Sequence, residues 1–189
     1  PKRDWSSDVC SSDLGDATAV ALGAFPEETG LDEDDVLVLV GDVPLLRADT
    51  VAALVAHHRD CDAAATLLTT HVDDPTGYGR IVRDARGGVA RIVEQADATE
   101  EERAITEVNP AIGCYRRSLL APALRRLTPA NAQGEYYLTD VVQVLRDAGH
   151  TVAALAATDP FECMGVNDRA QLAAAEAALR ERINLAWMR

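Results

Sequence analysis

Positive charge is scarce in this chain of 189 residues. Lys and Arg total 18 against 31 Asp and Glu, a formal net charge of −13. A surface of that sign repels phosphate backbones and anionic headgroups, so neither nucleic acid nor a membrane is expected as a partner. A phosphorylated small substrate stays open, because a bound divalent cation can supply positive charge. No apolar run reaches the ~20 residues of a membrane-spanning helix, and no secretory signal is read at the start, so a cytoplasmic location is expected. The four cysteines, Cys10, Cys61, Cys114 and Cys163, form no CxxC pair. Neither a zinc site nor a disulfide framework is expected, and they read as small residues of a reducing compartment. His57 and His58 end a helical pattern, where solvation or pairing with the helix dipole is expected rather than metal ligation. Aromatic content is only 4%, yet hydrophobic residues reach 48%, which implies a core of Ala, Val and Leu sufficient for one domain.

The first fourteen residues, PKRDWSSDVCSSDL, carry no helical or strand period. They are similar to a translated sequencing adapter, and a non-native leader is expected over residues 1–14, with the domain running from 15 to 189. The other end, INLAWMR, stops inside a helical pattern, so the chain reads as an internal fragment.

Between these ends the periods alternate. GDATAVALGAF (15–25) predicts a short amphipathic helix, and residues 35–40 a strand buried on both faces. RADTVAALVAHHRD predicts a helix starting near Asp49 or Thr50, and residues 63–69 a second apolar strand. That strand–helix–strand order predicts a βαβ unit with parallel pairing. DPTGYGRIVRDARGGVARIVEQ predicts a hairpin turning at residues 84–88, followed by a charged helix in DATEEERAIT and a strand through Asn109 to Tyr115. Helices follow in SLLAPALRRL and EYYLTDVVQVLRDAG, the latter started by Asn131 and closed by Gly149. A strand over HTVAALAAT and a long helix opening on Asn167 complete the pattern. The expected fold is α/β and Rossmann-like, a mixed, mostly parallel sheet with helices on both faces and a small β-hairpin insertion.

Four segments carry chemistry. In VLVLVGDVPLL, an apolar strand runs into Gly41 and Asp42. A carboxylate there is costly unless paired, and ligands bind beyond the carboxyl ends of such strands. A metal or ligand contact and a turn aspartate before Pro44 both remain open. DPTGYGRI holds Gly77 and Gly79, which permit close backbone approach or serve a simple turn. IVEQADAT breaks an apolar strand at Glu94 and Asp97, and NAQGEYYLTD brings Tyr136, Tyr137 and Thr139 to a helix start.

Together with EVNPAI and GVNDRAQL, these segments resemble the uridylyltransferase domain of the bacterial bifunctional N-acetylglucosamine-1-phosphate uridyltransferases and glucosamine-1-phosphate acetyltransferases, in order from Gly15 to Arg189. The resemblance implies a nucleotide-diphospho-sugar transferase fold and formation of UDP-N-acetylglucosamine and pyrophosphate from UTP and N-acetylglucosamine-1-phosphate, for cell-wall precursors. It implies Mg2+ as cofactor, with Asp42 and Asn167 as its ligands, and no side-chain nucleophile or acid–base residue. Gly15, Gly41, Gly79, Glu94, Asn109, Tyr137, Thr139 and Asn167 match substrate-binding positions. Full-length members are expected to be homotrimers. A related sugar-1-phosphate nucleotidyltransferase and a non-catalytic sugar-nucleotide-binding module are the alternatives.

Departures from the family pattern are specific. The family opens with a strand and a Gly-rich loop bearing an Arg and then a Lys; this pattern is not found before Gly15. Asp16 stands where His is common, Val40 where Tyr is common, and Pro110 where a small residue is common. The chain is therefore expected to be inactive by itself, with an open apolar strand edge, and the acetyltransferase activity is not expected of it.

Overall fold

A computed structural model of the protein describes residues 14–24 and 34–188. The leader expectation falls on residues 1–13 outside that description, while its last residue, Leu14, opens a helix. The elements are α1 (Leu14–Gly23), β1 (Asp35–Val38), α2 (Ala48–Asp60), β2 (Ala65–His71), β3 (Gly79–Arg83), β4 (Val89–Val93), α3 (Glu100–Arg103), β5 (Glu107–Asn109), β6 (Gly113–Arg116), α4 (Arg117–Leu124), α5 (Asp140–Asp147), β7 (Val152–Ala156) and α6 (Arg169–Trp187). A 3-10 turn covers Pro160–Cys163.

β2 lies at the centre. Six of its seven residues are buried, because both faces are covered by helices. Leu67 points into a cluster with Leu120, Val141 and Leu145 from α4 and α5. Its neighbour Leu68 points the other way, among Leu54 of α2, Ile112 and Cys163. Each fully buried leucine contributes about 1.5–3 kcal/mol by leaving water.

The sheet corrects two expectations. β1 and β2 do not pair: β6 lies between them, antiparallel to both. Of the six strand pairings among the described residues, five are antiparallel and only β2–β7 is parallel, so the sheet is mixed but not mostly parallel there. The period of an apolar strand reports that both faces are buried. It carries no information on which later segment slots in beside it. Among the described residues β1 has no strand partner on its other edge.

β5 and β6 run along β2 as one strand broken at residues 110–112, where Ala111 adopts φ +58. The break lets the β6 half join β1 while the β5 half joins the β3–β4 hairpin. That hairpin forms as expected. Asp84 accepts from the backbone N–H groups of Arg86 and Gly88, closing the turn. Arg83 grips Glu107 of β5 through two bonds, Nε–Oε2 at 2.7 Å and Nη2–Oε1 at 2.5 Å. Burial pushes the Glu107 carboxyl up, but the Arg83 bonds and charge together with Thr69 and His71 outweigh it and hold it below the ordinary carboxylate range. Arg83→Ala would strand this buried carboxylate. With the guanidinium 38% exposed, the expected loss is about 2 kcal/mol. Because Glu107 titrates below its unfolded value, the loss is present above the unfolded carboxylate pKa and shrinks as pH falls through the folded one. Urea unfolding at neutral and acid pH reads both; an equal loss at the two pH values would contradict the assignment.

Two helix starts differ from expectation. Residues 131–139 are irregular, and α5 begins only at Asp140. Asn131 caps a turn instead, accepting from the N–H groups of Gln133 and Glu135. α6 is capped by Asp168, not Asn167, through a capping box with Gln171. This leaves the Asn167 side chain outside the helix cap.

Candidate functional site

β3, β4 and β5 end together beside the 3-10 turn, and their ends line a cleft of about 130 Å³. Gly79 opens β3 and pairs with Asn109, the last residue of β5. Glu94 follows β4 immediately. A side chain at position 79 would meet Ile92 Cγ2 at 3.0 Å and the Glu94 carboxylate oxygens at 3.2 and 3.3 Å. A β-carbon at position 79 would therefore be tight, and Ile92 and Glu94 would have to give by a few tenths of an ångström to admit it. Glu94 is 7% exposed, and its Oε1 accepts from Thr139 Oγ1 at 2.8 Å. Asn109 Oδ1 accepts from the Ala111 N–H at 3.2 Å, which fixes its amide at the strand break.

Asp42 and Asn167 meet at the same end of the sheet. The Val166 N–H donates to the Asp42 carbonyl at 2.9 Å. Between the two side chains lies Gly165, whose missing Cβ would sit 3.4 Å from Asp42 Oδ2 and 3.7 Å from Asn167 Nδ2. A carboxylate and an amide thus lie on either side of a glycine, and with its amide oxygen turned inward Asn167 would complete an oxygen pair of the kind hard cations take.

Tyr137 lies behind the cleft. Its hydroxyl donates to Gln133 Oε1 at 2.6 Å and approaches Asp97 Oδ2 at 3.2 Å, while Asp97 Oδ1 accepts from the Ala132 N–H. Burial, with Asp97 beside it, pushes the phenol above its ordinary range, so it stays a donor. Gly79, Glu94, Asn109, Thr139 and Asn167 line the cleft directly. Gly41 stands in an exposed turn next to Asp42, and Gly15 lies under the 131–139 loop, donating its N–H to the Tyr136 carbonyl at 3.2 Å. Sequence reasoning passed over Arg80. This arginine is 1% exposed, donates to the Tyr78 carbonyl and to Gln95 Oε1, and keeps a buried Nε without a hydrogen-bond partner. The signal was available: a charged residue inside the apolar run of GRIV.

Burial pushes the Glu94 carboxyl above its ordinary value of 4.5; Asp140 and Asp97 add to this, and the Thr139 bond opposes it. The stability Glu94 contributes is then full below that ordinary value and is lost as pH rises through the raised one. Wild-type protein should lose stability relative to Glu94→Gln between about pH 4 and about pH 7. Urea unfolding of the pair at both pH values measures this, and a difference that does not change with pH would refute it.

Comparison with known proteins agrees with this architecture. The profile of the nucleotidyl transferase family matches residues 6–187. The bifunctional protein GlmU of Brevibacillus brevis is 51% identical over 177 residues, 93% of this chain and 38% of that protein. The GlmU of Corynebacterium efficiens is 53% identical over 154 residues, 82% of this chain and 32% of that protein. The chain therefore spans under two fifths of the length of these relatives. Among solved structures, a putative glucose-1-phosphate thymidylyltransferase from Bacillus anthracis shares the fold, with a TM-score of 0.63 over 92% of this chain and 63% of that one at 18% identity. Among the described residues no helix is long and apolar enough to cross a membrane. The chain belongs to the nucleotidyl transferase family.

Proposed function

We propose that this chain is the uridylyltransferase part of an enzyme that makes UDP-N-acetylglucosamine and pyrophosphate from UTP and N-acetylglucosamine-1-phosphate in the cytoplasm. The observation that carries this reading is the Gly79–Glu94–Thr139 arrangement. A glycine keeps the wall open, and a buried carboxylate held by a hydroxyl faces the space, with Asn109 across it. Acceptors fixed in this way suit sugar and ribose hydroxyls. Glu94 and Asn109 would bind those hydroxyls, and Thr139 would keep Glu94 aimed. Tyr137 would support the sugar side near the acetamido group.

The sugar phosphate oxygen attacks the α-phosphorus in line. One P–O bond forms, the bond to the β-phosphate bridge breaks, and pyrophosphate leaves with the electron pair. The described residues would position the sugar side of the reactants, and positioning supplies most of the rate in such transfers. Asp42 and Asn167 are suited to hold Mg2+ through a carboxylate oxygen and the amide oxygen. That ion would supply neutralisation of phosphate charge.

Calorimetric titration with UDP-N-acetylglucosamine and with UDP-glucose tests the assignment. The N-acetylated ligand should bind more tightly. Preference for the glucose ligand would point to a related transferase, and binding of neither would end the proposal.

A further inference from the structure

At the opposite end of β1 from Asp42, three elements bring unlike ligands together. Asp35 opens β1, His58 lies in the last turn of α2, and Cys114 lies in β6. Their ligand atoms all fall within 4.8 Å of one another. We propose that Asp35, His58 and Cys114 form a binding site for a zinc-class divalent transition cation, independent of the Mg2+ site in the cleft.

The geometry supports this in several ways. His58 is 2% exposed, and its Nε2 has no hydrogen-bond partner. That atom lies 3.3 Å from Asp35 Oδ1, close enough to pair but not aligned for a hydrogen bond. A separation of about 3.3 Å is the edge expected between nitrogen and oxygen ligands of a tetrahedral ion with bonds near 2.0 Å. The other ring nitrogen, Nδ1, sits 2.8 Å from Thr66 Oγ1, itself buried. With Nδ1–H donating to Thr66, the Nε2 lone pair faces Asp35 and Cys114, the arrangement that orients ligating histidines elsewhere.

Charge and access fit as well. The recess outside Asp35 and His58 has a volume of about 600 Å³ and also carries Asp34, Asp62, Arg59 and Arg116. Arg59 occupies only Asp35 Oδ2, leaving Oδ1 toward His58, and Arg116 is bound to Asp62. Three acids against two arginines leave one negative charge, and a Cys114 thiolate would add a second to balance a dication. Cys114 would bind the cation as its thiolate, releasing a proton. A nitrogen, an oxygen and a sulfur ligand with a fourth position open to the recess favour Zn2+ over Mg2+ or Ca2+.

The test is titration of the chelator-treated chain with Co2+ in excess Mg2+, followed by absorbance. One equivalent should give tetrahedral visible bands and a thiolate-to-cobalt charge-transfer band, both displaced by Zn2+. Cys114→Ser should remove the charge-transfer band. Asp35→Asn, at a partly exposed strand end where misfolding is least expected, should weaken Co2+ binding at least tenfold. His57 and Cys61 form an exposed pair one turn apart on α2, and a His57→Ala/Cys61→Ala double variant should leave the spectrum unchanged. Absence of the bands in the unaltered chain, persistence of the charge-transfer band in Cys114→Ser, undiminished Co2+ affinity in Asp35→Asn, or loss of the bands in the double variant would each overturn the proposal.

Discussion

Gly79→Ala should weaken UDP-N-acetylglucosamine binding by roughly 100-fold. The new methyl group would press on Ile92 Cγ2 at 3.0 Å and on both Glu94 oxygens. Relieving the contact shifts Glu94 against its bond from Thr139 and narrows the cleft. The packing cost should be about 1–3 kcal/mol, so the domain stays folded while the site is lost. Calorimetry, with unfolding in urea as the control, separates these effects. Binding equal to the unaltered protein would remove Glu94 and Gly79 from the sugar site.

Gly15→Ala should have the largest effect on stability. The added Cβ would stand 2.4 Å from the Tyr136 carbonyl oxygen, a backbone atom that no side-chain rotation can move. α1 would have to lift from the 131–139 loop, losing the Gly15–Tyr136 hydrogen bond and exposing the Leu14 and Leu22 contacts to the core. A loss of about 3 kcal/mol or more is expected. Gly23 provides the control, because it closes the same helix with nothing within 4 Å of its missing Cβ. Gly23→Ala should be neutral or stabilising by up to about 1 kcal/mol. Equal melting temperatures for the two variants would show that α1 is not seated on that loop.

Much of this was legible in the residue order, for reasons that are local. Asp84 and the two glycines after Arg86 dictate a tight turn, so the hairpin followed from the sequence. Thr99 and Glu102 encode their own capping box and start α3 where the charge run begins. Glu94 stood out because an apolar strand does not end in a carboxylate without cause. What was not legible depends on distant partners. Tyr136 to Thr139 carry no local signal against helix, yet Tyr137 and Thr139 are drawn off by Gln133, Asp97 and Glu94. His58 reads as a solvated helix end until β1 and β6 cover it. The antiparallel place of β6 between β1 and β2 is set by residues more than 40 positions downstream of β2.

That interposed strand also sets an order of events during synthesis. β1 and α2 emerge from the ribosome first, then β2, which ends at His71; the strand that joins them is complete only at Arg116. At translation rates of about 5–20 residues per second, the intervening 45 residues (116 − 71) take about 2 to 9 s. Throughout that interval β1 lacks the strand that pairs it with the sheet and β2 keeps an open edge on that side, where any extended segment nearby can pair. A nascent chain in that window is a natural client for holding chaperones, and slowing translation between codons 72 and 116 should increase its aggregation.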